Sequence, residues 1–114
     1  MANRLVSVIE TASYLAEATK LMSATERERV VYLLAADPEC GDLIRGGGGI
    51  RKVRVPLAGR GKSGGARVIY YFHSARIPLL LITVFAKNAK SDLSAAEVSA
   101  LAKAVKLYAT SWSK

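Results

Sequence analysis

The stretch that decides the fold is IRKVRVPLAGRGKSGGARVIYYFHSARIPLLLITVFA, residues 50–86. It contains three runs rich in β-branched and aromatic residues: Ile50–Val55, Ala66–His73 and Leu79–Ala86. Such residues suit the pleated, half-buried surface of a sheet. Pro56 closes the first run, because it cannot donate to a strand ladder. Leu57–Gly65, rich in Gly, Lys and Arg, and the short Ser74–Pro78 connect the three runs. Connections of this length favour an antiparallel meander.

Outward from this centre, Gly46–Gly49 reads as a flexible lead-in to the first run. Upstream, Arg4–Ile9 reads as a short strand. Thr11–Met22 reads as a helix with Leu15, Ala18, Leu21 and Met22 at helical spacing. Ser23 with Glu26 forms a capping-box pattern that opens a second helix. This helix runs to about Ala36, with Val30, Val31, Leu33 and Leu34 as its apolar stripe, and Pro38 follows its end. Downstream, Ser94 with Glu97 is a second capping box. It opens a C-terminal helix that places Val98, Leu101, Val105, Tyr108 and Trp112 on one side. The expected fold is therefore α+β: an N-terminal strand and two helices, a mainly antiparallel sheet meander, and a C-terminal helix. The helices are expected to cover one face of the sheet. A chain of 114 residues is expected to form one domain, spanning 1–114.

Charge is segregated along the chain, whose net value is +8. No acid occurs between Asp42 and Asp92, and that stretch holds ten of the 17 basic residues. A segregated patch of this kind attracts a polyanion, either nucleic acid or an acidic protein. The longest apolar run, Ile77–Ala86, is about half the length a spanning helix needs. The N-terminus lacks the apolar core of a signal peptide, so a cytoplasmic location is expected. Cys40 is the only cysteine, which rules out an internal disulfide.

Other motifs carry little. Gly59, Gly61 and Gly64 match G-x-G-x-x-G, but a strand rather than a helix follows, and no acid occurs before Asp92. Gly61-Lys62-Ser63 resembles the end of a P-loop, but Pro56 stands where the leading glycine is required. One His, one Cys and an acid-free centre provide no set of metal ligands, so neither a metal nor another cofactor is expected. A Cys40–His73 nucleophilic pair is formally possible, though a lone cysteine beside a helix end is more often structural.

A cationic constellation remains. Alternation along a strand puts Arg67, Ile69, Tyr71 and His73 on one face and Ala66, Val68, Tyr70 and Phe72 on the other. If Ile50–Val55 pairs with that strand, Lys52 and Arg54 stand near Arg67 on an open face. Lys87 and Asn88 close the patch, while Arg51 lies on the other side of its strand. Lysine and arginine neutralise phosphates, and Tyr71 offers a ring for an unstacked base. RNA can be cut without a metal if its own 2′-hydroxyl attacks the phosphorus. Clustered cations then stabilise the phosphorane-like charge. No carboxylate or central histidine is in view as a base.

These segments resemble a known family. IRGGGGIRKVRV (44–55), GRGKSGGARVIYYFH (59–73) and LLLITVFAKNAKSDLSAAEVSAL (79–101) are similar to RelE/ParE-superfamily toxins of type II toxin–antitoxin systems, and within them to the HigB-like subgroup. The resemblance covers about residues 25–107. It implies a RelE-like fold and a ribosome-dependent mRNA endoribonuclease, or mRNA interferase, that inhibits translation and leaves a 2′,3′-cyclic phosphate. By the same resemblance Lys52 and Arg54 contact and activate the substrate, Arg67 stabilises the transition state, and Lys87 ends the last strand, with Tyr71 or Lys87 as candidates for proton transfer. Arg51, Arg60, Lys62, Asn88 and Lys90 are the expected additional RNA contacts. The C-terminal tyrosine of RelE has no counterpart, since Leu93 and Ser94 stand around that place. The implied partners are the ribosome, mRNA and a cognate helix-turn-helix antitoxin, with operator DNA bound only through the antitoxin complex. A ParE-like inhibitor of DNA gyrase and a non-catalytic RNA- or antitoxin-binding module are the alternatives.

Overall fold

The computed structural model describes residues 4–58 and 65–112. In chain order these form β1 (Val8–Glu10), α1 (Ala12–Leu21), α2 (Ala24–Ala36), β2 (Asp42–Leu43), β3 (Ile50–Val55), β4 (Ala66–Tyr71), β5 (Leu79–Ala86) and α3 (Ala95–Ser111). The strands make one five-stranded sheet in the order β1-β5-β4-β3-β2. β2 to β5 pair antiparallel, while β1 lies parallel to β5, with Val8 opposite Leu79. This α+β architecture is the expected one.

Local chemistry explains the boundaries. Thr11 caps α1 by accepting from the Tyr14 amide at 3.1 Å, and its hydroxyl donates to the Leu81 carbonyl at 2.7 Å. One side chain thus starts a helix and fastens it to the sheet. Both expected capping boxes form, Ser23–Glu26 on α2 and Ser94–Glu97 on α3. β1 begins at Val8 rather than Arg4, because only from there does the chain pair with β5. β4 stops at Tyr71, before a turn closed by the Ile77 amide on the Ser74 carbonyl. Gly46–Gly49, read as flexible, forms a defined turn in which Gly46, Gly48 and Gly49 have φ of 75°, 69° and 111°. A side chain at Gly49 would also meet the Tyr71 ring at 2.9 Å.

The helices do not share one side of the sheet, contrary to expectation. α1 and α2 bury Tyr14, Ala18, Met22, Val30 and Leu34 against Val68, Tyr70, Leu79, Leu81 and Val84. α3 packs on the opposite face, where Val105, Leu101 and Tyr108 meet Ile50, Ile69 and Tyr71. Those sheet residues are apolar on the second face as well and must also leave water. The stripe on α2 is rotated from the expected one: Val30, Leu34 and Ala35 are buried, while Leu33 is exposed. Trp112 is exposed too, its ring edge-on to Tyr108.

Candidate functional site

Beyond α3 the second face of the sheet becomes cationic. The β3–β4 register sets Arg54 directly opposite Arg67 and Lys52 opposite Ile69. Two like charges in one cross-strand pair repel. Arg67 Nη1 is buried with no hydrogen-bond partner among the described residues. A buried donor left unpaired costs about 1–3 kcal/mol, so this arrangement suits an anion better than it suits the empty fold.

A β-bulge at Ile69/Tyr70 shifts the β4–β5 register and brings Phe85 opposite Arg67. Without it Phe85 would be in phase with Leu79 and Leu81, which lie under α1 and α2. The ladder continues one bond past β5, from the Lys87 amide to the Gly65 carbonyl at 3.1 Å. Lys87 and Asn88 are exposed there. Neither they nor Arg54 form a hydrogen bond or ion pair through a side chain with another described residue. Lys52, Arg54, Arg67 and Lys87 therefore occupy one end of the β3–β4–β5 surface, as the alternation of side chains suggests.

The cluster also contains a residue the sequence reading left out. Asp92, in the connection to α3, accepts from Lys52 Nζ at 2.9 Å. Its carboxyl is held below the usual range by that hydrogen bond and by one from the Leu93 amide, with the Lys52 and Arg67 charges adding to the effect. It is therefore ionised at neutral pH. The expectation that no carboxylate reaches the cations is corrected here: the acid-free stretch ends at Asp92, and the chain folds back to bring that residue in.

Three expected site residues lie elsewhere. Tyr71 is only 5% exposed, packed edge-on against Tyr108 beneath α3. It stands four residues along β4 from Arg67, about 13 Å away, and burial pushes its phenol up. It is neither an open platform beside the cations nor a ready proton carrier. Arg51 faces α2's side, where Nη1 donates to the carbonyls of Glu39 and Gly41 at 3.1 and 2.8 Å. Its other nitrogen, Nη2, pairs with Glu39 at 3.7 Å. Arg51 thus ties down the 39–41 segment instead of presenting a charge to solvent. Lys90 pairs with Glu97 and lies 5.7 Å from the Phe85 ring centre, so it braces the start of α3. Arg60 and Lys62, also expected contacts, lie outside the described residues.

The nucleophilic pair is not assembled. Burial raises the Cys40 thiol above its ordinary value. Cys40 lies beyond α2, near the Tyr70 hydroxyl, while His73 follows the end of β4 and has the Tyr71 ring 6.3 Å from its own.

The arrangement defines a class: a small basic α+β protein with a cation cluster, in which only Lys52 is paired among the described residues, beside the N-terminus of a sheet-covering helix. A family model described as the RelE toxin of the RelE/RelB toxin–antitoxin system matches residues 33–114. The chain belongs to that family. Among solved structures it is similar to a mutant of the E. coli toxin RelE in the free state, at 19% identity and a TM-score of 0.57. That match covers 88% of this chain and 96% of the other, and it extends the likeness of fold to the N-terminal elements. As a RelE-family toxin, the chain has a cognate antitoxin as its partner. Among the described residues no helix is long and apolar enough to cross a membrane.

Proposed function

We propose that this chain is a cytoplasmic, ribosome-dependent mRNA endoribonuclease of the HigB-like subgroup. The whole chain acts as one toxin domain that inhibits translation. The observation that carries the reading is the Arg54–Arg67 pair, two cations opposed across strands with a buried Arg67 Nη1 that has no partner among the described residues. A phosphodiester bound there relieves the repulsion and supplies the missing acceptor, and more so as negative charge builds in the transition state.

The reaction needs no metal. The substrate's 2′-hydroxyl attacks the adjacent phosphorus and the 5′-oxygen leaves, giving a 2′,3′-cyclic phosphate. Arg67 and Arg54 hold the non-bridging oxygens. Asp92 keeps Lys52 aimed into the cluster, and a carboxylate pushed below its usual range is a poor base. Lys52 and Arg54 contact and orient the substrate, the 2′-hydroxyl proton passes to solvent water, and Lys87 donates to the leaving oxygen. Asn88 adds a neutral hydrogen-bonding contact. The antitoxin is of the helix-turn-helix type, and operator DNA is reached only through the toxin–antitoxin complex.

The test is to express wild type and Arg67→Ala from a tightly controlled promoter and map mRNA 5′ ends with translation running and blocked. New ends that depend on Arg67 and vanish when translation stops are expected. Cleavage that continues without translation overturns ribosome dependence. Altered DNA supercoiling with no new ends moves the reading to gyrase.

A further inference from the structure

A groove runs along α3 away from the cation cluster. Near the helix start a hollow of about 500 Å³ is lined by Arg45, Leu93, Val98 and Ser99. Toward the helix end a hollow of about 630 Å³ is lined by Tyr71, His73, Lys106 and Thr110. The two share Gly46, Ala102 and Lys103, so they are continuous. Small residues keep the shared section open: a side chain at Gly46 would meet nothing within 4 Å. Measured along α3, the groove is about 20 Å long.

We infer that this groove is the track for single-stranded RNA flanking the scissile bond, an inference that rests on the ribonuclease reading above. Three independent features point to this occupant. Arg45, Lys103 and Lys106 line the groove and no carboxylate does. None of the three has an ion-pair partner among the described residues, whereas Lys20, Arg51, Lys52 and Lys90 each do. One end abuts the cluster, because Leu93 follows Asp92, the partner of Lys52. The other end carries the exposed His73 imidazole beside the Tyr71 ring, with ring centres 6.3 Å apart. Spaced cations followed by an exposed imidazole suit a strand with phosphates on one edge and an unpaired base to stack on His73. An acidic protein segment would satisfy the cations but leave that ring without a role.

The test uses the full chain and a 2′-O-methyl oligoribonucleotide, which lacks the attacking hydroxyl and so reports binding alone. Lys103→Ala/Lys106→Ala is expected to weaken binding at least tenfold. It should also lower the slope of log K against log[salt] by about 1.4, the value for two lost single-strand phosphate contacts. His73→Ala is expected to weaken binding about fivefold or more with the salt slope unchanged, as loss of one stacked base predicts. In the translation-coupled assay the double variant should need more toxin for half-maximal cleavage but reach the wild-type maximum. Photoreactive thiouridine in the mRNA, 3′ or 5′ of the cut, should crosslink to the α3 groove.

Wild-type affinity and salt slope in a double variant that melts like wild type overturn the inference. So do crosslinks from α3 to ribosomal RNA with none to mRNA. A wild-type chain that binds the oligonucleotide through the groove yet never cuts mRNA overturns the ribonuclease reading instead. The two failures are therefore separable.

Discussion

The two faces of the sheet are built on opposite terms. Under α1 and α2 the deep positions are apolar apart from two tyrosines, of which Tyr14 has its hydroxyl buried without a partner among the described residues while Tyr70 has its own satisfied. Tyr70 reaches through this layer so that its hydroxyl accepts from the Gly41 amide at 2.8 Å and donates to the Pro38 carbonyl at 2.9 Å. Burial pushes that phenol far above its ordinary value. The other face is apolar only beneath α3. Past Ile69 it holds arginines opposed across strands and a buried guanidinium nitrogen with no acceptor among the described residues. One face is built almost wholly from apolar packing, and the other keeps a cationic arrangement that, on the proposed function, becomes favourable when a phosphodiester binds. The residues of the larger core and the residues proposed for the chemistry thus lie on opposite faces of one sheet.

Substitutions on the two faces should therefore separate stability from activity. The largest expected effect is from Leu81→Ala in the helix-covered layer, which should cost about 2–5 kcal/mol in denaturant unfolding. A loss below about 1 kcal/mol would break the contrast at its stronger side. Arg67→Ala should lower cleavage about 10²–10³-fold, the scale for removing one preorganised transition-state donor. Its unfolding midpoint should equal or exceed that of wild type, because a repulsive pair is gone; a large drop in stability would make Arg67 a structural residue. Tyr70→Phe leaves the Gly41 amide without its acceptor and should cost about 1–3 kcal/mol, read by chemical denaturation with cleavage by the folded fraction unchanged. Ser94→Ala removes the α3 cap for about 1 kcal/mol. It should also raise hydrogen exchange in the first turn of α3, which lies beside the cluster.

The smallest expected effect is a pH dependence. Glu26 accepts from the Ala58 amide, its largest influence, and from the Ser23 amide, and both hold its carboxyl below the usual value. A carboxylate with a lowered folded pKa stabilises above its unfolded pKa, and that contribution is lost as pH falls through the folded value. Melting temperature should therefore decline on acidification below the ordinary glutamate range. Glu26→Gln should flatten part of that decline. An identical pH profile for the variant would remove Glu26 from the account.

Much of the frame was legible because punctuation and pattern agreed. Pro56 marks the end of β3, Pro78 stands just before β5, and the two Ser-x-x-Glu boxes start α2 and α3 where the structure has them. β2 was not legible, since two residues carry no periodicity. Nor was the bulge at Ile69/Tyr70, because strict alternation along Leu79–Ala86 gives no sign of a phase change. The side chosen by α3 is a tertiary decision: its apolar stripe shows that it packs, not where. For the site, strand alternation grouped Lys52, Arg54 and Arg67 correctly. It grouped Tyr71 with them equally, because a shared face says nothing of the distance along the strand or of a helix lying over it. Asp92 was missed because its contact with Lys52 spans forty positions and depends on how the connection turns.

The parallel pairing of β1 with β5 has a consequence for timing. Val8 finds its partner only at Leu79, and at about 5–20 residues per second those residues are synthesised roughly 4–14 s apart. Until then α1 lacks the strand that its cap residue Thr11 bonds to. The cation cluster shares that wait, for β4 needs β5 beside it and both Lys87 and Asp92 come later still. The cluster is thus assembled only after β5 and the connection to α3 have been made.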